Sequence, residues 1–259
     1  MFLSVDVGNT QTTLGLIGPS GDVCQCWRAQ TDKRATSDEI LMILTNFLAG
    51  RGYSLESVDA VAVASVVPSL QHAWNACLAR LQKPHLMVGT LTEPPIPIRM
   101  PYPTQVGADR IANAMEALAC YGAPVIVVDF GTATNIDVVA SDGAFVGGVI
   151  APGIMLSAEA LFQRASKLSS TPIEVPPHTI GSTSEEALQS GIVVGAAAMA
   201  EGLVARIQEE LGAPGCPVIA TGGLARTVDA VCACFTQLDP QLTLRGIHRI
   251  WRHYRGEQG

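Results

Sequence analysis

Residues 4–16 read SVDVGNTQTTLGL, and residues 127–139 read VVDFGTATNIDVV. Each carries apolar residues up to an aspartate, breaks at a glycine two positions later, passes through hydroxyl and amide side chains, and turns apolar again. Short apolar runs bounded by turn residues mark buried strands joined by a hairpin. Asp6 and Gly8 of the first stretch correspond to Asp129 and Gly131 of the second, an offset of 123 residues. One strand–turn–strand unit present twice predicts a chain made of two similar halves.

The flanking sequence repeats in step with the turns. Phe2 to Val7, Thr13 to Ile17 and Val23 to Arg28 read as strands, with a Gly-Pro-Ser-Gly turn at 18–21. Thr36 to Glu39 (TSDE) fits a capping box, and Ile40, Leu41, Ile43, Leu44, Phe47 and Leu48 follow at helical spacing. Val58 to Val67 is a strand, Pro68 opens a helix running to about Gln82, and Leu86 to Val88 is a short strand. In the second half Ala108 to Tyr121 is a helix. Val125 to Asp129, Asn135 to Ala140 and Ala144 to Ile150 are strands, and Ile154 to Ala165 and Ser184 to Leu211 are helices. Val218 to Ala220 is a strand ending in Thr221-Gly222-Gly223. Glu93 to Pro97 and Met100 to Pro103 are loop, because proline lacks the amide donor. The pattern predicts an α/β protein with mixed sheets and helices on both faces. Its halves span 1–105 and 106–259, with a ligand cleft between them.

The 259 residues are 48% hydrophobic and 15% charged, enough apolar matter for a large core and too little charge for disorder. A formal net charge of −7 argues against a general nucleic-acid binder, though not against a nucleotide bound with metal. No apolar run approaches the roughly 20 residues that span a bilayer, and Asp6 lies where a signal peptide would be apolar. The expectation is a cytoplasmic protein without a membrane partner. The seven cysteines read as reduced thiols. Cys24 and Cys26, like Cys232 and Cys234, have the same-face spacing of a strand, and neither pair has the C-x-x-C spacing of a zinc site. The histidines are scattered and offer no metal cluster.

A glycine just past a strand-end acid lets the backbone approach a phosphate. Successive amides there point at the anion, threonine hydroxyls add donors, and the carboxylate is a hard ligand for magnesium. Two such turns can grip a triphosphate. The plain alternative is a hairpin whose Asp and Asn satisfy their own turn amides. No G-x-x-x-x-G-K-[ST] loop is present, so a phosphotransferase built on these turns is not of the P-loop type.

Further blocks accompany the two turns: VGADRIANAMEA at 106–117, GGVIAPG at 147–153, ALQSGIVVG at 187–195, TGG at 221–223 and DPQLTLRGI at 239–247. In this order, over essentially the whole chain, they resemble the type III pantothenate kinases of the acetate and sugar kinase/Hsp70/actin superfamily. The resemblance implies two duplicated actin-like (ribonuclease H-like) halves. It implies ATP-dependent phosphorylation of pantothenate, the first step of coenzyme A synthesis, by a homodimer that needs magnesium and a monovalent cation, K+ or NH4+. On these residues Asp6, Val7, Gly8, Asn9, Thr10, Gln11, Thr12 and Thr13 hold ATP, with Asp6 near magnesium. Thr132 adds an ATP contact and Asp129 ligates the monovalent cation. Gly107, Ala108, Asp109 and Arg110 bind pantothenate, and Asp109 is the base.

Elementary chemistry agrees on Asp109. Phosphorylating a hydroxyl needs an acceptor for its proton, and the start of a helix favours an ionised carboxylate. Arg110 matches a substrate carboxylate. A helix cap paired with Arg110 is the bland alternative. Two positions depart from the family pattern. The aromatic substrate contact seven residues before Gly107 is Met100 here; either the loop re-aims Tyr102, the nearest aromatic, into the site, or Met100 packs there apolarly. The usual threonine before the long helix becomes Ser184, with Thr183 before it. The long, small-residue helix from Gly191 to Ala200 offers a surface for a second copy. The C-terminal segment reads as a docked helix whose Arg245, Arg249, Arg252 and Arg255 form a solvated rim. Two other functions are kept open: a related kinase with another small acceptor, and a nucleotide-binding accessory regulator of transcription that does not need Asp109.

Overall fold

The apolar run Phe2–Val7 forms β1, the centre of the first of two five-stranded sheets. The computed structural model describes residues 1–90, 94–164 and 171–256. Glu93, at the head of the proline-rich loop, and Ala165, expected at the end of a helix, lie outside them. By contacts the chain divides into two units: Met1–Pro97, Pro101–Glu116 and Gln241–Gly259 in one, Ile98–Met100 and Ala117–Pro240 in the other.

In the first unit β1 pairs antiparallel with β2 (Gln11–Ile17), and β2 with β3 (Val23–Gln30). On its other side β1 runs parallel to β4 (Ala60–Ser65), and β4 to β5 (His85–Met87). Helices α1 (Ser37–Ala49) and α2 (Gln71–Leu81) cover one face. The capping box exists: Glu39 N–H donates to Thr36 Oγ1 at 3.3 Å, and Thr36 N–H donates to Glu39 at 2.7 Å, an arrangement worth about 1 kcal/mol. Because strand side chains alternate, Leu3, Val5 and Val7 enter the core under α1 and α2. Phe2, Ser4 and Asp6 take the opposite face, and Phe2 packs there with Ala60, Ala62 and Ala64.

That opposite face is covered by the start of α3 (Ala108–Tyr121) and by the C-terminal helix α8 (Leu242–Tyr254), with Ala108, Ala112, Ile247 and Ile250 in its core. Helices α4 to α7 come between these two in the chain and belong to the second unit. Ser4 Oγ donates to the Leu244 carbonyl at 2.8 Å, and Thr243 Oγ1 to Asn113 Oδ1 at 2.7 Å. Arg245 and Arg249 approach the Glu116 carboxylate at 2.9 and 2.6 Å, with that side chain only 3% exposed. Two expectations change here. The boundary read at 105/106 differs from the division by contacts, in which the first unit also takes residues 106–116 and 241–259 and so covers the second face of its sheet. Arg245 and Arg249 are also ion-pair partners of a buried acid rather than a solvated rim.

The second unit repeats the same order. Strands β6 (Val125–Phe130), β7 (Ala133–Val139) and β8 (Phe145–Pro152) are antiparallel neighbours, while β9 (Val218–Thr221) lies parallel to β6 and β10 (Gln237–Leu238) to β9. The remaining helices are α4 (Ile154–Arg164), α5 (Ser184–Gln189), α6 (Gly195–Glu210) and α7 (Ala225–Asp229). A π-turn over Ser190–Val194 joins α5 to α6 into one helical run. That run, Ser184–Glu210, is 27 residues long with a mean hydropathy of 1.5 over its most apolar window. By length and apolarity it is long enough to cross a membrane, which the expectation of short apolar runs missed. It buries Ile192, Val193, Ala197, Ala200 and Val204 in the core of its own unit.

The repeat extends to the outer hairpins. Gly18 N–H meets the Asp22 carbonyl at 3.0 Å and Ala140 N–H the Ala144 carbonyl at 2.9 Å, 122 residues on. The offset of 123 at the aspartates becomes 122 beyond them because the second inner turn is one residue shorter.

Candidate active site

In the first unit Asp6 stands opposite Thr13, and Val7 opposite Thr12. Gly8, Asn9 and Thr10 make the turn, closed by Gly8 N–H to the Gln11 carbonyl at 3.1 Å. Asn9, Thr10 and Gln11 are exposed, and Asp6 and Thr13 are half-buried on one face. Thr12 points the other way. It is buried, its hydroxyl shares a 2.9 Å hydrogen bond with that of Thr31, and Thr31 N–H holds the Thr10 carbonyl at 2.9 Å. The hydroxyl of Thr12 therefore braces the turn from behind. Thr13 is the threonine on the carboxylate's side.

Parallel strands end at the same edge, so β4 delivers Ser65 and Val66 beside Val7, with Val66 N–H on the Val7 carbonyl at 3.1 Å. Val66 in turn contacts the entry to α3: a Cβ on Gly107 would stand 3.3 Å from Val66 Cγ1 and 2.5 Å from Asp109 Oδ1. The Asp109 carboxylate thus folds back over Gly107. Its Oδ1 accepts the Arg110 N–H at 2.8 Å. Burial pushes the carboxyl above the usual aspartate range, and the Arg110 amide and charge oppose that only in part. A carboxylate made more basic by desolvation is suited to accept a hydroxyl proton. The phosphate-type turn and the base candidate therefore stand at one edge of one sheet, linked through Val7, Val66 and Gly107. Arg110 is half-buried, while Tyr102 projects into solvent with 66% of its surface exposed and Met100 is half-buried.

In the second unit Asp129 stands opposite Asn135 on one side and Thr221 on the other. Gly131 N–H closes the shorter turn on the Ala133 carbonyl at 3.1 Å, with Thr132 the residue between. Asp129 Oδ1 lies 2.5 Å from where a Cβ on Gly222 would be and 3.5 Å from one on Gly131. Gly222 has φ +96°, a conformation that favours glycine. A Cβ on Gly153 would lie 2.1 Å from the Thr132 carbonyl oxygen and 2.8 Å from that of Gly131. The Asp129 carboxylate thus stands against the Cβ position of Gly222, and the Gly131 and Thr132 carbonyls stand against that of Gly153. Oxygen-only donors of this kind suit a hard cation. Gly222 and Gly153 are the residues that site reasoning missed. Both lie in blocks already visible in the sequence, but what they make room for is not.

Thr183 caps α5, its Oγ1 accepting the Glu186 N–H at 3.1 Å. Ser184 is the first helical residue and is exposed. Of the two neighbouring hydroxyls, that of Thr183 serves the helix. Among the described residues no three His, Cys, Asp or Glu side chains cluster as a metal site.

The architecture is shared with solved proteins. A glucokinase of the ROK family from Streptomyces griseus, in complex with glucose and AMPPNP, aligns with a TM-score of 0.53 at 13% identity, covering 96% of this chain and 98% of its own. A Campylobacter jejuni protein proposed to be a Baf family transcriptional activator aligns with a TM-score of 0.62 at 18% identity, covering 98% and 99%. At such identities the likeness shows the fold alone, the duplicated actin-like fold of the sugar kinases. Sequence narrows the class. The family model for type III pantothenate kinase matches residues 2–206. A type III pantothenate kinase from Nocardioides sp. is 44% identical over 255 residues, covering 96% of this chain and 98% of the relative. One from Thermomicrobium roseum is 41% identical over 261 residues, covering 100% of both. The chain belongs to the type III pantothenate kinase family.

Proposed function

We propose that this chain transfers the γ-phosphoryl group of ATP to the hydroxyl of pantothenate, the first step of coenzyme A biosynthesis, in the cytoplasm. Family membership over the full length carries the reading, and the residues support it. The amides of Asp6 to Thr13 and the hydroxyls of Thr10 and Thr13 hold the phosphates, and Thr132 adds a contact. Asp109 accepts the hydroxyl proton as the phosphorus–oxygen bond forms. Arg110 faces the carboxylate of pantothenate, with Gly107 and Ala108 beside it in the chain; Ser184 and the exposed Tyr102 remain substrate contacts on the family pattern alone. Asp6, half-exposed beside the turn, suits magnesium, which when bound neutralises charge on the phosphates. Asp129, cradled by Gly131 and Gly222, suits potassium or ammonium.

The enzyme works as a homodimer. The side of the Gly191–Ala200 helix that carries Ala197 and Ala200 is spent on its own core, but Gly191, Gly195 and Ala198 stay exposed. The second unit also exposes Ile150, Met155, Leu156 and Leu161, apolar area of the kind a partner covers. The test is ADP release with a panel of acceptors, with and without potassium. Release with pantothenate supports the reading. Release only with another small acceptor moves the chain to a related kinase, and release with none moves it to a nucleotide-binding regulator.

A further inference from the structure

Cys232 and Cys234 do not lie on a strand. They sit between α7 and β10, and the loop brings their sulfurs to 3.4 Å. The residue between them is pinned: Ala233 N–H donates to Glu201 Oε1 at 2.7 Å. Both cysteines are partly exposed, open to a small reagent. Next along the chain, the Phe235 ring meets that of Phe130 edge-on, with centroids 5.9 Å apart, and Phe130 follows Asp129.

We propose that Cys232 and Cys234 are a redox-active dithiol that closes to a disulfide by exchange with a small-molecule disulfide and reopens with thiol. Cys232 is the attacking sulfur. The two thiols share a hydrogen bond at 3.4 Å that holds the Cys232 pKa below the ordinary cysteine value, while the same contact and burial push Cys234 up. A thiolate is the nucleophile in such exchange. The Cys232 thiolate attacks one sulfur of glutathione disulfide, forming a mixed disulfide and expelling one glutathione thiolate, which takes the Cys234 proton. The Cys234 sulfur then attacks Cys232 Sγ and expels the second glutathione, which is protonated by water. Two electrons pass from the protein to glutathione, and two thiols leave. Closure from 3.4 Å to a bonded distance of about 2.0 Å draws the sulfurs together by about 1.4 Å. That pull acts next to Phe235 and, through its ring, on the strand end carrying Asp129. Closure therefore lowers turnover.

The experiment treats the full-length protein with glutathione disulfide, quenches it by alkylation, and maps all seven cysteines by peptide mass. The expected result is loss of two hydrogens on the peptide holding residues 232–234, about tenfold faster than any adduct on the exposed Cys24, Cys26 or Cys120. Cys234→Ser is expected to stop at a glutathione adduct on Cys232. A wild-type peptide left unmodified, or carrying one stable glutathione, while Cys24 or Cys120 reacts, overturns the dithiol. ADP release by the closed form, expected to fall several-fold and to recover with dithiothreitol, tests the coupling separately. Unchanged turnover in a fully closed protein refutes the coupling and leaves the dithiol standing.

Discussion

Adding one methyl group at Gly107 should disable the enzyme without unfolding it. The alanine Cβ would stand 2.5 Å from Asp109 Oδ1. Ordinary contact begins near 3.4 Å, so the carboxylate must retreat by about 0.9 Å. Nothing rigid prevents this, because the oxygen is the tip of a side chain. The cost falls on chemistry. The carboxylate leaves the Arg110 N–H, now 2.8 Å away, and loses its aim at the substrate hydroxyl. A misplacement of about 1 Å costs about 10²-fold in rate, or about 2.7 kcal/mol of barrier. The assay is steady-state ADP release against pantothenate, with thermal unfolding in parallel. Gly107→Ala is expected to lose about 10²-fold in kcat while its Tm stays within a few degrees of the parent's. In an Asp109→Asn background the same methyl group should cost little more, since residues acting as one unit are not additive. Full kcat in Gly107→Ala, or an undiminished 10²-fold loss on top of Asp109→Asn, would refute the argument that this glycine exists to seat the base.

Asp109→Asn itself should lower kcat by about 10²- to 10⁴-fold, the range for a general base. Because burial raises the folded-state pKa of Asp109, its ionised form opposes folding. That penalty is absent below the unfolded pKa and sets in as pH rises through the folded value. The Asn variant should therefore be the more thermostable of the two at neutral pH and lose this advantage in acid, as thermal melts across pH will register. Gly222→Ala strains a φ of +96° and crowds Asp129, so potassium titrations of turnover should show a weakened or absent response. A potassium dependence like the parent's would count against Asp129 as the cation ligand. Glu116→Gln leaves Arg245 and Arg249 without their 3%-exposed carboxylate. Breaking such a pair should cost about 3 kcal/mol, a drop of roughly 6–12 °C in Tm, and a loss under 2 °C would show that α8 docks by its apolar side alone.

What the sequence determines here is local. Strand, turn and repeat are legible because each is written in adjacent residues: an apolar run, an aspartate, a glycine two positions on, then hydroxyls. The capping box at Thr36 is another such case, complete within four residues. Asp109 at the head of its helix is legible for the same reason. Tertiary structure decides who meets whom. Glu116 finds Arg245 and Arg249 across 129 and 133 positions, so the C-terminal helix serves the first sheet, which a boundary at 105/106 does not foresee. Thr12 and Thr13 are both turn threonines in the sequence, and only the pairing with Thr31 shows that one braces the turn while the other flanks Asp6. Nothing beside Gly107 or Gly222 in the sequence shows that a carboxylate oxygen stands 2.5 Å from each Cβ position. Propensity and turn chemistry act over a few bonds, whereas face, partner and clearance are set when distant segments pack, and no window of neighbouring residues contains both sides of that contact.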